Sequence, residues 1–383
     1  MATIHLPRTI RIGGGALDEL PAALAAAGLS RPLIVTDVWI AGCGILDRVE
    51  RLLARAGIPA RTFTGVVPDP TVASTEAGCA FLAEGAHDCV IGLGGGSPID
   101  SAKMIAVRGD RAIPALKAPH QEDAPGLPVI AIPTTAGTGS EATRFTIITD
   151  TETDEKMLCA GLAYLPQIAI VDYELTLTKP ARLTADTGID SLVHAIEAYV
   201  SKRANPFSDS MALSAMRLIW PNLPRACADP GDRSAREALM LGALQGGIAF
   251  SNSSVALVHG MSRPIGAHFH VAHGLSNAML MPLVTAWSAP AALPRYADCA
   301  RAMGIAAEQE SDQGAVGRLV EALEQVNADL QVPTPAGYGI AKARWDELIP
   351  LMASQALASG SPGNNPRVPE AEEIAMLYRQ AWG

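Results

Sequence analysis

The first half of the chain alternates short β-branched runs with amphipathic, alanine-rich stretches, and this alternation restricts the possible folds most strongly. Buried strands are predicted at 33–36, 89–93, 129–132 and 168–171, and helical periodicity is present at 46–56 and 74–84. Strands that alternate with helices form parallel βαβ units, in which helices cover both faces of the sheet. We therefore expect an α/β domain at the start of the chain.

From about residue 183 onward the pattern changes to long helical stretches, at 190–200, 208–220 and 233–250, and strand signals almost vanish. Pro221, Pro224, Pro230 and Pro282 are interpreted as helix ends. Residues 358–367, which are rich in Gly, Ser, Pro and Asn, are predicted to form a surface loop before a last helix. The 383 residues suffice for two cores, so we expect an α/β domain at 1–180 and an all-helical domain at 181–383.

Composition narrows the functional classes. A net charge of -10 leaves no basic surplus to neutralise phosphates, which argues against a nucleic-acid partner and against docking on an anionic membrane. No apolar run has the length needed to cross a bilayer, and residues 1–11 lack the pattern of a secretory signal. The six cysteines form no C-x-x-C pair, which is typical of a reducing compartment. We expect a soluble, cytoplasmic protein.

A glycine-rich turn follows the second predicted strand. Residues 91–97 read Ile-Gly-Leu-Gly-Gly-Gly-Ser, and a helix is expected to begin near Pro98. Consecutive glycines let backbone N–H groups approach an anion, and the N-terminus of the following helix favours negative charge. A pyrophosphate would fit there, although many turns of this kind only reverse the chain.

Two further features favour a dinucleotide. Residues 133–141 follow another strand end and place several hydroxyls on a glycine-containing loop, where ligands bind in open α/β sheets. Asp37 directly follows the first predicted strand, where a carboxylate can accept hydrogen bonds from an adenosine ribose and would repel a 2′-phosphate. An ordinary cap or turn aspartate is the alternative. Beside the two loops, Asp37 favours NAD.

The second half contains a candidate metal site. Asp190 and His194 are four residues apart, a spacing that places both side chains on one face of a helix. Five of the eight histidines lie between His194 and His273. One carboxylate and up to three imidazoles would suit a divalent ion such as Fe(II), Zn or Mn. Spacing alone leaves the remaining ligands open among His259, His268, His270 and His273.

These motifs together resemble those of the iron-containing (group III) alcohol dehydrogenases, and the similarity extends over nearly the whole chain. The similar segments are 94–100, 134–141, 187–200, 259–261, 273–277 and 365–367. The resemblance implies the dehydroquinate synthase-like fold, with a dinucleotide domain, a helical metal domain and an active site in the cleft between them.

The resemblance also assigns residues to the two sites. It implies four metal ligands, Asp190, His194, His259 and His273. It implies that Asp37 occupies the NAD-selecting position and that the cofactor site is lined by Gly95, Gly96, Ser97, Asp100, Thr134, Thr135, Thr138, Thr143 and Lys156. The related maleylacetate reductases lack this Asp/His set, and the similar glycerol dehydrogenases bind zinc through fewer protein ligands. The complete set therefore favours Fe(II), with Zn or another divalent ion as alternatives.

One position departs from the family pattern. Many members have a further histidine four residues after the third ligand, and Arg263 stands there in this chain. An arginine cannot act as a neutral proton relay, but it can bind a carboxylate, phosphonate or sulfonate through a bidentate contact. Either Arg263 binds an acidic substrate, or it pairs with an acidic neighbour and shapes the pocket. His270 is then the candidate proton shuttle, and Phe145 and Phe250 are candidate pocket walls.

The predicted function is a metal-dependent hydride transfer between NAD(H) and a small alcohol or aldehyde, which could carry an acidic group. The alternatives are a hydroxyacid–oxoacid transhydrogenase with a bound cofactor, a maleylacetate reductase-like enzyme, a lyase of the dehydroquinate synthase kind, and a non-catalytic metal- or nucleotide-binding protein. The family resemblance also implies a homodimer or larger homo-oligomer.

Overall fold

The computed structural model describes all residues of the chain, Met1–Gly383, and contains two compact units. The N-terminal unit is His5–Lys179, and the helical unit is Pro180–Gly383 together with Met1–Ile4. All strands lie in the N-terminal unit, and the helical unit has none. The expected fold class is confirmed. The ranges 1–180 and 181–383 stay a prediction for the two functional domains.

The N-terminal unit is built on a parallel sheet. Its strands are β1 (Thr9–Ile12), β2 (Pro32–Asp37), β3 (Arg61–Val66), β4 (Cys89–Gly94), β5 (Val129–Pro133), β6 (Phe145–Asp150), β7 (Glu155–Ala160) and β8 (Ile168–Val171). Six of them pair in parallel in the order β1, β8, β5, β4, β2, β3, while β6 and β7 form a separate antiparallel hairpin. All four predicted strands are confirmed.

Helices bury both faces of this sheet. They are α1 (Leu20–Ala27), α2 (Val38–Gly42), α3 (Ile45–Arg55), α4 (Val72–Ala83) and α5 (Gly96–Val107). Ile34 and Ile91 belong to an apolar cluster with α1 and α3, whereas Leu33, Val35 and Val90 belong to a second cluster with α5. Because successive strand residues point to opposite faces, a strand buried on both sides must be apolar throughout, which explains the continuous β-branched runs.

The strand order places the predicted cofactor loops at one edge of the sheet. The chain leaves β2 outward to β3 and then returns to β4 on the other side of β2, so the direction of the strand order reverses there. Ligands of open α/β sheets bind at the carboxyl ends of the strands at such a reversal. The two strands end at Asp37 and Gly94, and the next strand, β5, ends at Pro133.

The helical unit surrounds one buried helix. Its helices are α6 (Ala181–Val200), α7 (Pro206–Ala228), α8 (Arg233–Ser251), α9 (Leu257–Phe269), α10 (His273–Ser288), α11 (Leu293–Ala302), α12 (Asp312–Asp329), α13 (Lys342–Ala358) and α14 (Ala371–Gln380). Every residue of α6 from Gly188 to Val200 is buried, and α7, α8 and α10 pack around it. A helix that is buried on all sides forms the centre of its unit. None of the helices combines the length and apolar character needed to span a membrane.

Three of the four helix ends predicted from prolines are wrong. Pro221 and Pro224 lie inside α7, and Pro282 lies inside α10, whereas Pro230 does lie in the connection between α7 and α8. A proline inside a helix costs about 3 kcal/mol because it removes a backbone hydrogen bond. The buried face of α7 packs against both α6 and α8, and this tertiary packing offsets the local cost.

The surface loop predicted at 358–367 is wrong for part of this segment, because Ser361, Pro362, Asn364 and Asn365 are buried. Ser361 and Asn365 are 4% and 1% exposed, and a 3-10 turn runs over Ser361–Asn364. The Asn364 amide donates to Ser254 Oγ at 2.8 Å, and the Asn365 amide donates to Ser288 Oγ at 2.9 Å. The polar residues that predicted exposure thus form hydrogen bonds inside the unit. The last helix is confirmed as α14.

Candidate metal centre and cofactor site

Four side chains of the helical unit converge, and we call them the ligand group: Asp190, His194, His259 and His273. The first two lie one turn apart on α6, the third lies on α9, and the fourth begins α10. One donor atom from each lies within 4.8 Å of the others. The structure therefore brings together the four residues predicted as ligands. His268 and His270 are not members, and His268 Nε2 lies 2.8 Å from Gln355 Oε1.

The spacing and chemistry of the ligand group fit a divalent cation. Asp190 Oδ1 lies 3.5 Å from His259 Nε2, 3.7 Å from His273 Nε2 and 3.9 Å from His194 Nε2. Two donor atoms bound at about 2.1 Å to the same ion lie ~3 to 4 Å apart. A carboxylate and three imidazoles suit Fe(II), Zn or Mn, and three of the four residues are buried.

Glu197 orients one of these imidazoles. Its carboxylate is 3% exposed and accepts hydrogen bonds from the backbone N–H of Ala256 at 2.8 Å and of Val258 at 2.6 Å. The same carboxylate lies 2.7 Å from His259 Nδ1. A carboxylate can only accept, so Nδ1 carries the proton and His259 Nε2 presents its lone pair to the ligand group.

The carboxylates of Asp190 and Glu197 favour positive charge at the ligand group. Burial opposes ionisation of Asp190, but His194, His273 and a hydrogen bond with His259 outweigh it and hold the pKa of Asp190 below its usual range. Burial also opposes protonation of His259, but hydrogen bonds to Asp190 and Glu197 outweigh it and raise the pKa of His259. The surroundings that favour a proton here would equally favour a metal cation.

Asn277 lies against the ligand group and is fully buried on α10. Its amide Nδ2 donates to Asp190 Oδ1 at 2.6 Å and lies 3.2 Å from His259 Nε2 and 3.4 Å from His273 Nε2. Its Oδ1 is buried without a hydrogen-bond partner. Asn277 thus contacts three of the four members of the ligand group.

Phe250 covers one side of the ligand group. Its ring stacks on the His194 imidazole with the centroids 4.3 Å apart, and its side chain is buried on α8. An apolar ring in this place excludes water from the imidazole. Phe145 begins β6 in the N-terminal unit, and its carbonyl O accepts from Lys103 at 2.8 Å. The roles of both rings as substrate pocket walls stay predictions.

Arg263 lies one helical turn after His259 on α9 and has no carboxylate within ion-pair distance. Its Nη1 donates to Ser361 Oγ at 3.1 Å, and burial lowers the pKa of the guanidinium to about 10 against the opposing effect of Glu197. Direct pairing with an acidic neighbour, the alternative to substrate binding, is therefore not observed. His270 is exposed at the C-terminal end of α9 with φ 54°, and its role as proton shuttle stays a prediction.

In the N-terminal unit, the glycine-rich turn and the hydroxyl-bearing loop lie against each other. Thr134 N donates to Gly94 O at 2.8 Å, and Thr138 Cγ2 lies 3.0 Å from where a Cβ on Gly96 would be. Gly95 caps α5 without a side-chain hydrogen bond, so backbone N–H groups of the first turn, which includes Ser97, can face an anion. The Thr134 hydroxyl is buried without a partner, and Thr135 lies next to Gly95.

Two predicted cofactor residues make hydrogen bonds inside the protein. Asp100 accepts from Ser140 Oγ at 2.6 Å and from Ile147 N at 2.8 Å. Thr143 Oγ1 accepts from Lys103 Nζ at 3.1 Å, and the same ammonium donates to Ser140 Oγ at 2.8 Å. Asp100 and Thr143 thus hold the loop after β5 against α5, and direct cofactor contact by either side chain stays a prediction.

Asp37 and Lys156 lie apart from this network. Asp37 Oδ1 accepts from Ile40 N at 2.8 Å and caps α2, so the cap interpretation is observed for one of its two oxygens. Lys156 lies on β7 and pairs with Asp69 at 2.7 Å. For both residues, contact with the cofactor stays a prediction.

Lys103, Glu197 and Asn277 were missed by the sequence analysis, although helical spacing pointed to two of them. Glu197 follows Asp190 by seven residues, and Asn277 follows His273 by four, so each shares a helix face with a predicted ligand. No comparable signal marks Lys103, whose partners are 37 to 42 residues away in the chain.

Sequence comparison identifies the family. A family profile described as "Iron-containing alcohol dehydrogenase" matches residues 7–173, and one described as "Fe-containing alcohol dehydrogenase family, C-terminal" matches residues 184–382. The chain belongs to the iron-containing alcohol dehydrogenase family. The resemblance inferred from the motifs is confirmed, and so is the expectation of an enzyme of the alcohol dehydrogenase type.

Several known proteins are similar to this chain over most or all of their length. Long-chain-alcohol dehydrogenase 1 of Geobacillus thermodenitrificans is 39% identical over 354 residues, which cover 91% of this chain and 89% of the relative. A crystal structure of a 1,3-propanediol oxidoreductase has a TM-score of 0.95 at 34% identity and covers 100% of both chains. Sulfoacetaldehyde reductase from Bifidobacterium kashiwanohense, in complex with NAD+, has a TM-score of 0.89 at 26% identity and covers 100% of this chain and 99% of its own.

Proposed function

We propose that this chain is a divalent-metal-dependent oxidoreductase that transfers hydride between NAD(H) and a small alcohol or aldehyde. The convergence of one carboxylate and three imidazoles in the ligand group carries the proposal. The similar proteins named above, an alcohol dehydrogenase, a propanediol oxidoreductase and an aldehyde reductase, support this substrate class. Fe(II) is the proposed metal, with Zn or another divalent ion as the alternative.

The residues of the helical unit would hold the metal and fix the orientation of its ligands. A divalent ion held by the ligand group would supply Lewis-acid activation of the substrate oxygen. Asp190 would stay ionised, because its pKa is held low. Glu197 would keep the proton of His259 on Nδ1, and Phe250 would keep water away from His194.

The N-terminal unit would hold the dinucleotide. NAD(H) would supply the hydride acceptor or donor, while the protein supplies binding and orientation. The first turn of α5 and the loop after β5 would bind the pyrophosphate through backbone N–H groups and threonine hydroxyls. Asp37 Oδ2 would accept from the ribose, which favours NAD over NADP. The NAD+ bound to the similar sulfoacetaldehyde reductase supports this choice.

The proposed substrate carries an acidic group. Arg263 is a part-buried guanidinium one turn from a proposed metal ligand, and no carboxylate of the chain lies within ion-pair distance. A desolvated cation without a direct ion-pair partner is costly, and an anionic substrate would provide such a partner through a bidentate contact. The resemblance to a reductase named for a sulfonated aldehyde supports this proposal.

Arg263→Ala should therefore separate acidic from neutral substrates. We expect KM for acidic aldehydes to rise ~10-fold or more, because a charge-assisted bidentate contact is lost. Kinetic constants for neutral aldehydes of similar size serve as the internal control and should change little. Equal kinetic constants for the wild type and the variant on every accepted substrate would refute the acidic-substrate proposal.

The proposed reaction is tested with a spectrophotometric NAD(H) assay on metal-stripped protein. Fe(II) and then Zn(II) are added back, and the substrates pair neutral short alcohols and aldehydes with acidic ones. Activity that returns with metal supports the proposed function. Hydride exchange between a hydroxy acid and an oxo acid without added NAD would instead indicate a transhydrogenase, and no turnover with any metal would contradict an oxidoreductase.

The proposal also covers the oligomeric state, cellular location and partners of the enzyme. A homodimer or larger homo-oligomer in the cytoplasm is expected, without a nucleic-acid or membrane partner. Light scattering coupled to size-exclusion chromatography tests the oligomeric state, and a monomer at micromolar concentration would contradict this expectation.

A further inference from the structure

Trp39 is the most exposed of the five tryptophans in the chain. It lies on α2, two residues after Asp37, and is 48% exposed, whereas the other four are buried or half-buried. The indole of tryptophan is a large, flat apolar surface. At the carboxyl end of β2, where ligands bind in open α/β sheets, that surface is available to a ligand.

A buried ammonium covers one face of the Trp39 ring. Lys179 is 5% exposed, and its Nζ lies 3.7 Å from the centroid of that ring. Burial lowers the pKa of Lys179 to about 8, against the opposing effects of Cys43 and Asp37. A desolvated cation over the face of an indole is attracted by the ring, so Lys179 fixes the orientation of Trp39. The exposed area of the ring must then lie outside the covered face.

The end of β2 lies beside the glycine-rich turn that follows β4. Val35 pairs with Gly92 in parallel register, and Thr36 Oγ1 donates to Leu93 O at 2.7 Å. Neighbouring strands are about 4.8 Å apart. Asp37, the last residue of β2, is therefore adjacent to the turn proposed to bind the pyrophosphate.

These positions determine the direction of a bound nucleotide. The proposed function places the pyrophosphate on the glycine-rich turn and a ribose hydroxyl on Asp37. The phosphate and the base are attached at opposite ends of the adenosine ribose, so a nucleotide held at both places extends toward α2. Trp39 is the one aromatic side chain of α2. Aromatic side chains bind nucleobases by stacking, because every base has a flat π face.

We propose that Trp39 binds the adenine of the cofactor by stacking, and that Lys179 is the positioning residue that holds the indole ring from its other face. This inference rests on the proposed use of NAD(H), but it does not depend on the metal. All residues on which it depends belong to the N-terminal unit. The adenosine half of the cofactor would then be held at two places, its ribose by Asp37 and its base by Trp39.

Binding of ADP-ribose tests the inference without hydride transfer, because ADP-ribose contains the adenosine and the pyrophosphate but no nicotinamide. Calorimetry measures its affinity for the wild type, Trp39→Ala, Trp39→Phe, Lys179→Met and the double variant Trp39→Ala with Lys179→Met. Tyr338→Ala is the matched control, because Tyr338 is an aromatic side chain of similar exposure, 42%, in the helical unit.

We expect Trp39→Ala to bind ADP-ribose ~10-fold or more weakly, because the stacking contact is lost. Trp39→Phe should lie between the two, since a smaller ring retains part of the contact. KM for NAD should rise by a similar factor in Trp39→Ala while kcat changes little, because the base is remote from the reacting carbon. Tyr338→Ala should match the wild type.

Lys179→Met keeps the length of the side chain and removes its charge. We expect it to weaken ADP-ribose binding when Trp39 is present and to change nothing further when Trp39 is already alanine, because Lys179 acts through the ring. An equal loss of affinity in both backgrounds would show that Lys179 contacts the nucleotide itself, and would overturn its positioning role.

Equal ADP-ribose affinity of the wild type and Trp39→Ala would overturn the stacking proposal. A wild type that binds NADH but not ADP-ribose would also overturn it, because the adenosine half would then contribute no measurable affinity. If Lys179→Met does not fold, the two Trp39 variants decide the stacking proposal by themselves. Failure of the wild type to bind either ADP-ribose or NADH would instead contradict the proposed function.

Discussion

Glu197 shows how one buried residue can determine the chemistry of another. All three of its partners are donors: two backbone N–H groups and the Nδ1–H of His259. Only a group that accepts at every position satisfies them together, and a carboxylate does so. The tautomer of His259, and therefore the availability of its Nε2 to a metal, depends on that carboxylate.

Glu197→Gln should weaken metal binding ~10- to 100-fold, as is typical when the partner of a metal-bound histidine is lost. Glutamine would place an NH2 group against an N–H donor and disturb the His259 ring. Metal affinity is measured by chelator competition, with the exposed Glu321→Gln as control. The melting temperature of the metal-free variant is measured separately, to distinguish lost folding from lost binding. Wild-type metal affinity would mean that Glu197 does not orient the ligand.

Helical spacing alone predicted two of the four proposed metal ligands. The i, i+4 pair on α6 placed Asp190 and His194 together because a helix face is a local property of the chain. Spacing alone could not choose among His259, His268, His270 and His273, since the path of α9 and α10 past α6 depends on tertiary packing. The family resemblance made that choice, and the structure brings the same four residues together.

At the scale of elements, a close approach of α10 to α6 positions the ligand group. Gly274 is the second residue of α10, and a Cβ there would overlap the carbonyl of Asp186 and lie 3.3 Å from Asp190 Cβ. The absence of a side chain at Gly274 therefore lets His273 lie near Asp190. The backbone of α6 is the obstacle, and it cannot move aside as a flexible side chain could.

Gly274→Ala should separate the two helices and weaken metal binding ~10-fold or more, with a lower melting temperature. Overpacking of this kind typically costs about 1–3 kcal/mol. Gly317→Ala is the matched control, because Gly317 lies in α12 with open space around its Cα, and alanine there should be neutral or slightly stabilising. Equal metal affinity in Gly274→Ala and the wild type would contradict the role given to this contact.

Buried charges connect α5 to the loop after β5 in the N-terminal unit. Burial lowers the pKa of Lys103 to about 8, while Asp100 and Glu141 oppose this change. Burial raises the pKa of Glu141 to about 7, against the opposing effects of its own backbone and Lys103. The folded state thus holds a proton on Glu141 between pH 4.5 and about 7, where the unfolded chain has lost it. Stability falls as the pH rises through this window.

Glu141→Gln should remove that loss, because glutamine does not titrate. The free energy of unfolding of the variant relative to the wild type should increase by ~1–3 kcal/mol from pH 5 to pH 8. Urea unfolding at several pH values measures this difference, and the exposed Glu19→Gln should show no such trend. A difference that does not change with pH would contradict the buried, protonated state of Glu141.

Local patterns predicted the four inner strands of the parallel sheet but not the other four strands, and they predicted the helix ends poorly. Continuous β-branched runs identified four strands because a strand buried on both faces needs apolar residues throughout. The prolines of α7 and α10 gave wrong helix ends because a proline indicates only the local free-energy cost of continuing a helix. The stabilisation from packing against α6 comes from distant parts of the chain. Residues 358–367 misled for the same reason, since their polar groups bond to residues more than 70 positions away.

At the scale of the whole molecule, each unit contains one half of the proposed chemistry. The N-terminal unit places its glycine-rich turn and hydroxyl-bearing loop at the carboxyl ends of adjacent strands. The helical unit surrounds a buried carboxylate and three imidazoles. Both units match profiles of the iron-containing alcohol dehydrogenase family, so the chain as a whole is one enzyme of that family.

The central claim is that the ligand group holds the metal on which hydride transfer depends. The most direct measurement titrates metal-stripped protein with Fe(II) under anaerobic conditions and follows bound iron and NADH oxidation together. We predict that activity saturates when a single ion is bound per chain, and that Asp190→Ala folds but stays inactive at every iron concentration. Full activity in the metal-stripped wild type would contradict the claim, and so would wild-type activity of Asp190→Ala after Fe(II) is added.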